Sequence, residues 1–237
     1  MERDWVSELE RWLQDRFVAL CDTIGYSAPL SRLRIHPDLA TEESKYFLLG
    51  MEEGLFVADE LGYVQSALLP LPGANDSRHE TCRIFWHEPP PPRLSRECIC
   101  QLSTASFLII KRGWLPSHIL LDPDCKDSCD TPCGIDILVQ SPPGVTLVAV
   151  EVKRSLAELQ KLVRDLGTCC QRGAHGKDDC GFPQNHPKYE FCAHYKPAYF
   201  WAVAPDADVC LAMKYGEGSI ELEPLESLPP RSLLEAT

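Results

Sequence analysis

Three charged side chains interrupt two strongly apolar segments in the middle of the chain. Asp136 lies in the segment 134–140, whereas Glu151 and Lys153 end the segment 145–153. The Ser-Pro-Pro-Gly sequence of residues 141–144 is typical of a turn, so the two segments are predicted to form paired β-strands. Because side chains alternate between the faces of a strand, Glu151 and Lys153 share one face, and strand pairing would bring Asp136 beside them.

Two carboxylates and an ammonium group at one place are suited to a divalent cation and a phosphate ester. Mg²⁺ prefers oxygen ligands and is usually held by one or two carboxylates together with substrate phosphate. A bound metal ion lowers the pKa of water and neutralises charge that develops on phosphorus. We therefore expect Asp136 and Glu151 to hold Mg²⁺ or Mn²⁺, with Lys153 orienting the water or stabilising the transition state.

Periodic apolar segments flank this predicted hairpin. Residues 94–114 carry apolar side chains at helical spacing, with Glu97 near the start of the segment and Gly113 where a C-cap belongs. Residues 155–166 are predicted to form a second helix, with leucines on one face. The run Tyr-Phe-Trp-Ala-Val at 199–203 is predicted to form the next strand.

In these residues the chain resembles the PD-(D/E)XK nuclease superfamily, which has the restriction-endonuclease-like fold. Asp136 matches the acidic residue of that family, and Glu151 to Lys153 match its E-x-K element. The resemblance covers residues 93–211 and follows the family order of helix, three strands, helix and strand. One departure is Ile135, which stands where many members have proline.

The resemblance implies a metal-dependent endonuclease that hydrolyses DNA phosphodiester bonds in restriction, phage defence, repair or mobile-element processing. It implies Asp136, Glu151, Lys153 and Glu97 as the catalytic set, with Asp136 and Glu151 as Mg²⁺ ligands. Gln160 and Gln171, which follow the E-x-K element, are secondary candidates for contact with phosphate or water; solvated helix positions are the alternative for both. RNA stays open as a substrate, because the same chemistry cuts either polymer.

The fold class predicted is α/β (α+β), with a central mixed β-sheet flanked by helices. A restriction-endonuclease-like core is expected over residues 93–215 and an acidic C-terminal tail over 216–237. A small N-terminal α+β module is expected over 1–88, with an amphipathic helix at 3–23 and short antiparallel strands within 45–87. That helix is expected to pack on its own domain; docking to a partner is the alternative. The proline run at 89–92 is predicted to separate the two domains.

The formal net charge of −12 is unusual for a protein that binds nucleic acid, since phosphate contacts depend on lysine and arginine. The acidic excess lies outside the predicted core. Residues 93–205 hold 13 basic and 12 acidic residues, whereas residues 1–92 hold 8 basic and 16 acidic. We therefore expect a protein partner or a homo-oligomer to contribute to DNA binding.

No membrane segment or signal peptide is predicted, so a cytoplasmic location is expected.

Twelve cysteines, several of them close to histidines, suggest a second metal site. Disulfides are not expected in a reducing compartment. Structural zinc and scattered free thiols are both open interpretations of these residues. The candidate zinc ligands are Cys125, Cys129, Cys133, Cys169, Cys170, His175, Cys180, His186, Cys192 and His194.

Two other functional classes compete with the nuclease hypothesis. One is a catalytically inactive nuclease-fold subunit that acts as a protein-interaction module, which the acidic flanks favour. The other is a zinc-stabilised binding module in which the motif at 136–153 is accidental. The intact set of acid, glutamate and lysine favours the enzyme.

Overall fold

A mixed β-sheet with helices on both faces is the centre of the protein. The computed structural model describes residues 3–26, 39–69, 82–87, 91–123, 134–141 and 145–234. The helices are α1 (Trp5–Thr23), α2 (Thr41–Glu52), α3 (Arg96–Ile110), α4 (Leu156–Arg172), α5 (His186–Tyr195) and α6 (Arg231–Leu234). The strands are β1 (Val57–Ala58), β2 (Val64–Gln65), β3 (Phe85–Trp86), β4 (Arg93–Leu94), β5 (Ile119–Leu121), β6 (Ile137–Ser141), β7 (Val145–Val152), β8 (Tyr199–Ala204), β9 (Ala207–Tyr215) and β10 (Ile220–Leu225).

The central sheet has the strand order β10-β9-β8-β7-β6-β5. Strands β7 and β8 are parallel and are joined through α4 and α5, whereas the other neighbouring pairs are antiparallel. The predicted hairpin is therefore present as β6 and β7. The expectation of a mixed sheet flanked by helices is confirmed.

The alternation of side chains along β7 assigns the two faces of the sheet. Val148 and Val150 belong to the hydrophobic core that also contains α1, α2 and α3. Ala149 belongs to the second core, with α4 and α5. Glu151 has the same parity as Ala149, so its side chain lies on the α4–α5 side of the sheet.

Helix α2 packs against α3, α1 packs against α2, and all three helices share one core. Residues 46–49, predicted as a strand, lie in α2, so that prediction is wrong. A short apolar run is compatible with either structure, and here tertiary packing decides. Glu43 in the first turn of α2 accepts the Ala40 N–H at 3.3 Å and forms a bidentate ion pair with Arg96 of α3, with both distances 2.8 Å. Of the short strands expected within 45–87, β1 and β2 pair with each other, and β3 pairs with β4, which lies beyond that range.

The C-terminal residues extend the sheet. Residues 216–237 were expected to form an acidic tail, but Ile220–Leu225 pair with β9 as the edge strand β10. The strand at 207–215 is therefore internal to the sheet. The acidic side chains of β10, Glu221 and Glu223, alternate with Leu222, which packs against the second core. None of the helices in the described ranges has the length and apolar character needed to cross a membrane.

Candidate active site

Strand pairing places Asp136 opposite Glu151. Asp136 lies one residue before β6, and its N–H donates to the Val150 carbonyl oxygen at 3.2 Å. In return, Oδ2 of Asp136 accepts the backbone N–H of Val152 at 2.6 Å. The Asp136 carboxylate thus takes the place of a backbone carbonyl as the acceptor for Val152, at the end of the hairpin away from its turn. This bond fixes the carboxylate beside the end of β7.

Glu151 is the most enclosed carboxylate of the group, with 2% of the residue exposed. Its Oε1 lies 2.7 Å from Nζ of Lys153 and 3.1 Å from Nζ of Lys188. Its Oε2 is buried and has no hydrogen-bond partner among the described residues. A buried carboxylate oxygen without a partner is costly, so this atom is available to a ligand.

Lys153 connects the sheet to α3. Its Nζ donates to Glu151 and to the Val152 carbonyl oxygen at 2.8 Å, and it lies 3.7 Å from Oε1 of Glu97. Glu97 is in the first turn of α3 and its side chain is about half exposed. The Lys153 N–H donates to the Val203 carbonyl oxygen at 2.8 Å, which holds the backbone beside β8.

Burial and the nearby charge of Glu151 make Asp136 reluctant to ionise. Burial, followed by the charge of Glu151, raises the pKa of Asp136 well above its ordinary value; the Lys153 charge and the Val152 N–H oppose this effect. Burial opposes the charge of Lys153, but Glu151 and Asp136 outweigh it and raise the pKa of the ammonium group. Lys153 is therefore a permanent cation at neutral pH.

Two further side chains join this site that the sequence did not identify. Asp122 follows β5 with a φ of 42°, and its N–H donates to the Asp136 carbonyl oxygen at 2.9 Å. Gln101 of α3 donates to Oδ1 of Asp122 and to the Asp136 carbonyl oxygen, each at 2.8 Å. Burial raises the pKa of Asp122, with Gln101 opposing this and the charge of Glu151 adding to it. An aspartate directly after the apolar triplet 119–121 was the available signal.

Lys188 is the third residue that sequence reasoning missed. It lies in the first turn of α5, and only 8% of it is exposed. No periodic apolar pattern marks this helix, so its position gave no sequence signal. The structure nevertheless places its ammonium group 3.1 Å from Oε1 of Glu151.

The predicted catalytic residues Asp136, Glu151, Lys153 and Glu97 thus lie together at one end of the sheet. No family model, curated protein or solved structure matches this chain. The side chains themselves therefore carry the functional interpretation. Gln160 and Gln171 are both exposed on α4.

The charge of the site suits a divalent cation. It contains four carboxyl groups and two ammonium groups: Asp122, Asp136, Glu151, Glu97, Lys153 and Lys188. When all six are ionised, the excess is two negative charges. A dication would cancel that excess, and the unpartnered Oε2 of Glu151 offers it a ligand atom.

A cavity of about 470 Å³ lies on the other face of the sheet, between α2, α3 and the turn that joins β8 to β9. Its lining includes Glu42, Asp206 and Asp208 as well as the aromatic ring of Trp201. Trp201 donates its indole N–H to Asp208 at 2.8 Å. Acidic walls repel a polyanion, so this cavity is unsuited to a nucleic-acid backbone.

Three of the cysteine and histidine candidates form a cluster, and the other candidates among the described residues lie outside it. Cys125, Cys129 and Cys133 lie outside the described residues. Ligand atoms of Cys169, His175 and Cys180 lie within 4.8 Å of one another, so this group could hold a metal such as zinc. The remaining candidates are the buried Cys170, Cys192 and His186, and the exposed His194, whose ring contacts Tyr195.

Proposed function

We propose that this protein is a metal-dependent endonuclease that hydrolyses DNA phosphodiester bonds with a restriction-endonuclease-like core. The observation that carries the proposal is the buried, unpartnered Oε2 of Glu151 beside Asp136 and two lysines. An inactive interaction module would gain nothing from holding this many charged groups together in an apolar sheet, since their burial is costly.

The order of elements supports the fold part of this proposal. Helix α3 precedes strands β5, β6 and β7, which α4 and α5 then connect to the parallel strand β8. The same order was expected from the resemblance to the PD-(D/E)XK superfamily. The acid before β6 and the E-x-K element at the end of β7 occupy the corresponding places.

Each side chain has a distinct role in the proposed reaction. Asp136 and Glu151 hold Mg²⁺ or Mn²⁺, and Glu97 completes the ligand set directly or through water, because its Oε1 lies 3.7 Å from the Lys153 ammonium group that contacts Glu151. The bound ion supplies an acidified water and neutralises charge on the phosphoryl group. Lys153 orients the attacking water, and Lys188 places a second positive charge at the carboxylate pair, where it stabilises the anionic transition state.

DNA binding needs more positive charge than the described surface around the site provides. The net charge of −12 opposes association with a polyanion, and the near-neutral balance of residues 93–205 reduces this repulsion only locally. We therefore include a protein partner or a second copy of the chain in the proposal, as a source of additional phosphate contacts.

The test is a cleavage assay on supercoiled, linear and single-stranded DNA and on RNA, with Mg²⁺, Mn²⁺ or EDTA. Lys153→Ala is expected to lose activity by about 10²–10³-fold, because a positioned electrostatic group is removed. Lys161→Ala, an exposed lysine of α4, is the matched control and is expected to keep full activity. Full activity in both Lys153→Ala and Asp136→Ala would refute the proposed mechanism.

Manganese titration distinguishes the enzyme from an inactive subunit of the same fold. A nuclease is expected to bind Mn²⁺ and to lose this binding in Glu151→Gln. A protein that neither cleaves nor binds Mn²⁺ would support the inactive interaction module, which the acidic flanks favour. Cleavage of RNA alone would keep the site chemistry and change the substrate.

A further inference from the structure

A cluster of sulfur and nitrogen atoms lies where α4 ends and the segment leading to α5 begins. Cys169 lies in the last turn of α4, and His175 and Cys180 lie in the connection itself. The Sγ atoms of Cys169 and Cys180 are 3.4 Å apart, and both residues are free thiols. Two thiolates on one zinc ion lie about 3.8 Å apart, given Zn–S bonds of about 2.3 Å in a tetrahedron. A disulfide would require about 2.05 Å. The observed separation is that of two reduced thiols, close enough for one metal ion to bind both.

His175 presents one ring nitrogen to the two sulfurs. Its Nδ1 lies 2.6 Å from the carbonyl oxygen of Gly173, which can only accept, so Nδ1 carries the proton. Nε2 is then an unprotonated acceptor, and it is buried without a hydrogen-bond partner among the described residues. Metal-bound histidines generally donate their other ring N–H to a carbonyl or carboxylate. His175 has this arrangement.

His186 is the fourth candidate ligand, and it lies beside the group of three ligand atoms that are within 4.8 Å of one another rather than within that group. It is fully buried, and neither ring nitrogen makes a hydrogen bond within the described chain. Its ring centroid lies 4.8 Å from that of His175. Oε1 of Glu190 is 3.3 Å from Nε2, at an angle that does not form a hydrogen bond. A buried imidazole with two unsatisfied nitrogens is costly, and a metal ion on one side with a carboxylate on the other would satisfy both.

We propose that Cys169, His175, Cys180 and His186 bind one structural Zn²⁺. Two thiolates and two imidazoles form a closed tetrahedral set of the kind that structural zinc takes. The connection at 173–185 includes few apolar side chains: Cys180 belongs to the second core and Phe182 packs against it. Zinc binding therefore supplies folding free energy that this segment lacks. The proposal does not rest on the nuclease function.

The zinc site also has a consequence for the candidate active site. His186 is the first residue of α5, and Lys188 follows two residues later with its ammonium group on Glu151. Anchoring His186 to α4 through the metal fixes the start of α5. The hydrogen bond from Asn185 to Asp165 of α4, at 2.8 Å, holds the same junction. Zinc thereby positions Lys188 without touching the carboxylates.

The first test measures metal in the protein as purified, without chelators. One zinc per chain is expected by elemental analysis. Removing the metal and titrating the folded protein with CoCl₂ is expected to give the visible bands of tetrahedral cobalt(II), together with thiolate-to-metal charge-transfer absorption. An intact mass lower by two hydrogens, with no bound metal and with peptide mapping that joins Cys169 to Cys180, would mean a disulfide at this site and would overturn the proposal.

Paired variants then identify the ligands. Cys180→Ser and His186→Gln are expected to weaken Zn²⁺ binding by more than the roughly 10–100-fold that changes to hydrogen-bond partners of ligands cause. The matched controls are Cys170→Ser, a buried neighbour in α4, and His194→Gln, on α5. Both are expected to keep the cobalt spectrum.

His186→Gln keeps three ligands and is the variant expected to stay folded, which circular dichroism would check. An unchanged cobalt spectrum in His186→Gln would overturn the four-ligand site. A wild-type protein that stays folded while binding neither zinc nor cobalt would overturn it entirely. Neither measurement depends on cleavage activity, so failure of the nuclease proposal leaves this one intact.

Discussion

The ammonium group of Lys188 lies 3.1 Å from Oε1 of Glu151, although one residue begins a helix and the other ends a strand. Nζ of Lys153 lies 2.7 Å from the same oxygen. One carboxylate oxygen thus accepts two cations while Oε2, the other oxygen of the same carboxylate, has no partner within the described chain. The proposed metal site accounts for this asymmetry, because a metal ion would take the free oxygen.

Replacing Lys188 with methionine tests its role as a second cation. Met keeps the aliphatic stem, which is almost fully buried. We expect cleavage to fall by about 10²-fold, because one electrostatic contact to the transition state is lost. Mn²⁺ is expected to bind more tightly, because Glu151 loses a competing positive charge. Lys196→Met, an exposed position at the end of the same helix, is the control. Equal losses in the two variants would refute a specific role for Lys188.

Asp136→Asn is expected to stabilise the protein without metal at neutral pH. The raised pKa of Asp136 means that its charge opposes folding, and Asn can still accept the Val152 N–H. We expect Tm to rise by about 2–4 °C, the shift that roughly 1 kcal/mol produces in a chain of this size. Calorimetry in EDTA measures this change. A lower Tm would show that the carboxylate stabilises the fold.

The sign of the pH dependence follows from the same shift. Between the unfolded pKa of about 3.9 and the raised folded pKa of Asp136, the folded protein binds more protons than the unfolded chain. The contribution of Asp136 to the free energy of unfolding is therefore present at low pH. It is lost as the pH rises through the pKa that Asp136 has in the folded protein. Added Mn²⁺ should reverse the loss in the wild type, by about 2.7 kcal/mol at one hundred times Kd. Asp136→Asn should show neither effect.

The sequence predicted those parts of the site that lie on regular, strongly patterned elements. Apolar runs with single charges marked β6 and β7, and the period of two correctly put Glu151 and Lys153 on one face. Helical periodicity marked α1, α3 and the first part of α4. The boundary at residue 166 was too early, because Gly167 interrupts the pattern while packing continues to Cys169 and Cys170.

The missed residues lie where local pattern is weak and tertiary packing decides the structure. Helix α5 starts within a polar segment, so Lys188 could not be assigned to the site. Asp122 reaches Asp136 through Gln101, a contact between α3 and the end of β5 that no local spacing encodes. The apolar run at 46–49 could form either a strand or a helix. It is helical in α2, where the ion pair of Glu43 with Arg96 joins this helix to α3.

Glu43→Gln is expected to destabilise the fold while leaving the candidate active site unchanged. Removing one partner leaves the Arg96 guanidinium buried without a counter-charge, since both side chains are almost fully enclosed. The expected loss is about 3–5 kcal/mol of unfolding free energy. Glu42→Gln is the control, because its exposed pairing with Lys45 should contribute no more than about 0.5 kcal/mol. Urea unfolding of both variants measures the difference, and similar midpoints would contradict it.

Two helical glycines provide opposite tests of packing. A Cβ on Gly50 of α2 would lie 2.1 Å from Oγ of Ser106 and 2.7 Å from Cε1 of Phe56, whereas one on Gly167 of α4 meets nothing within 4 Å. Alanine improves helix propensity at both positions, by roughly 1 kcal/mol. We expect Gly167→Ala to be stabilising, because that gain is unopposed. At Gly50 the steric conflict forces α2 away from α3, so Gly50→Ala should lose about 1–3 kcal/mol despite the same gain. Denaturant unfolding measures both changes, and stabilisation by Gly50→Ala would show that the α2–α3 contact can relax without cost.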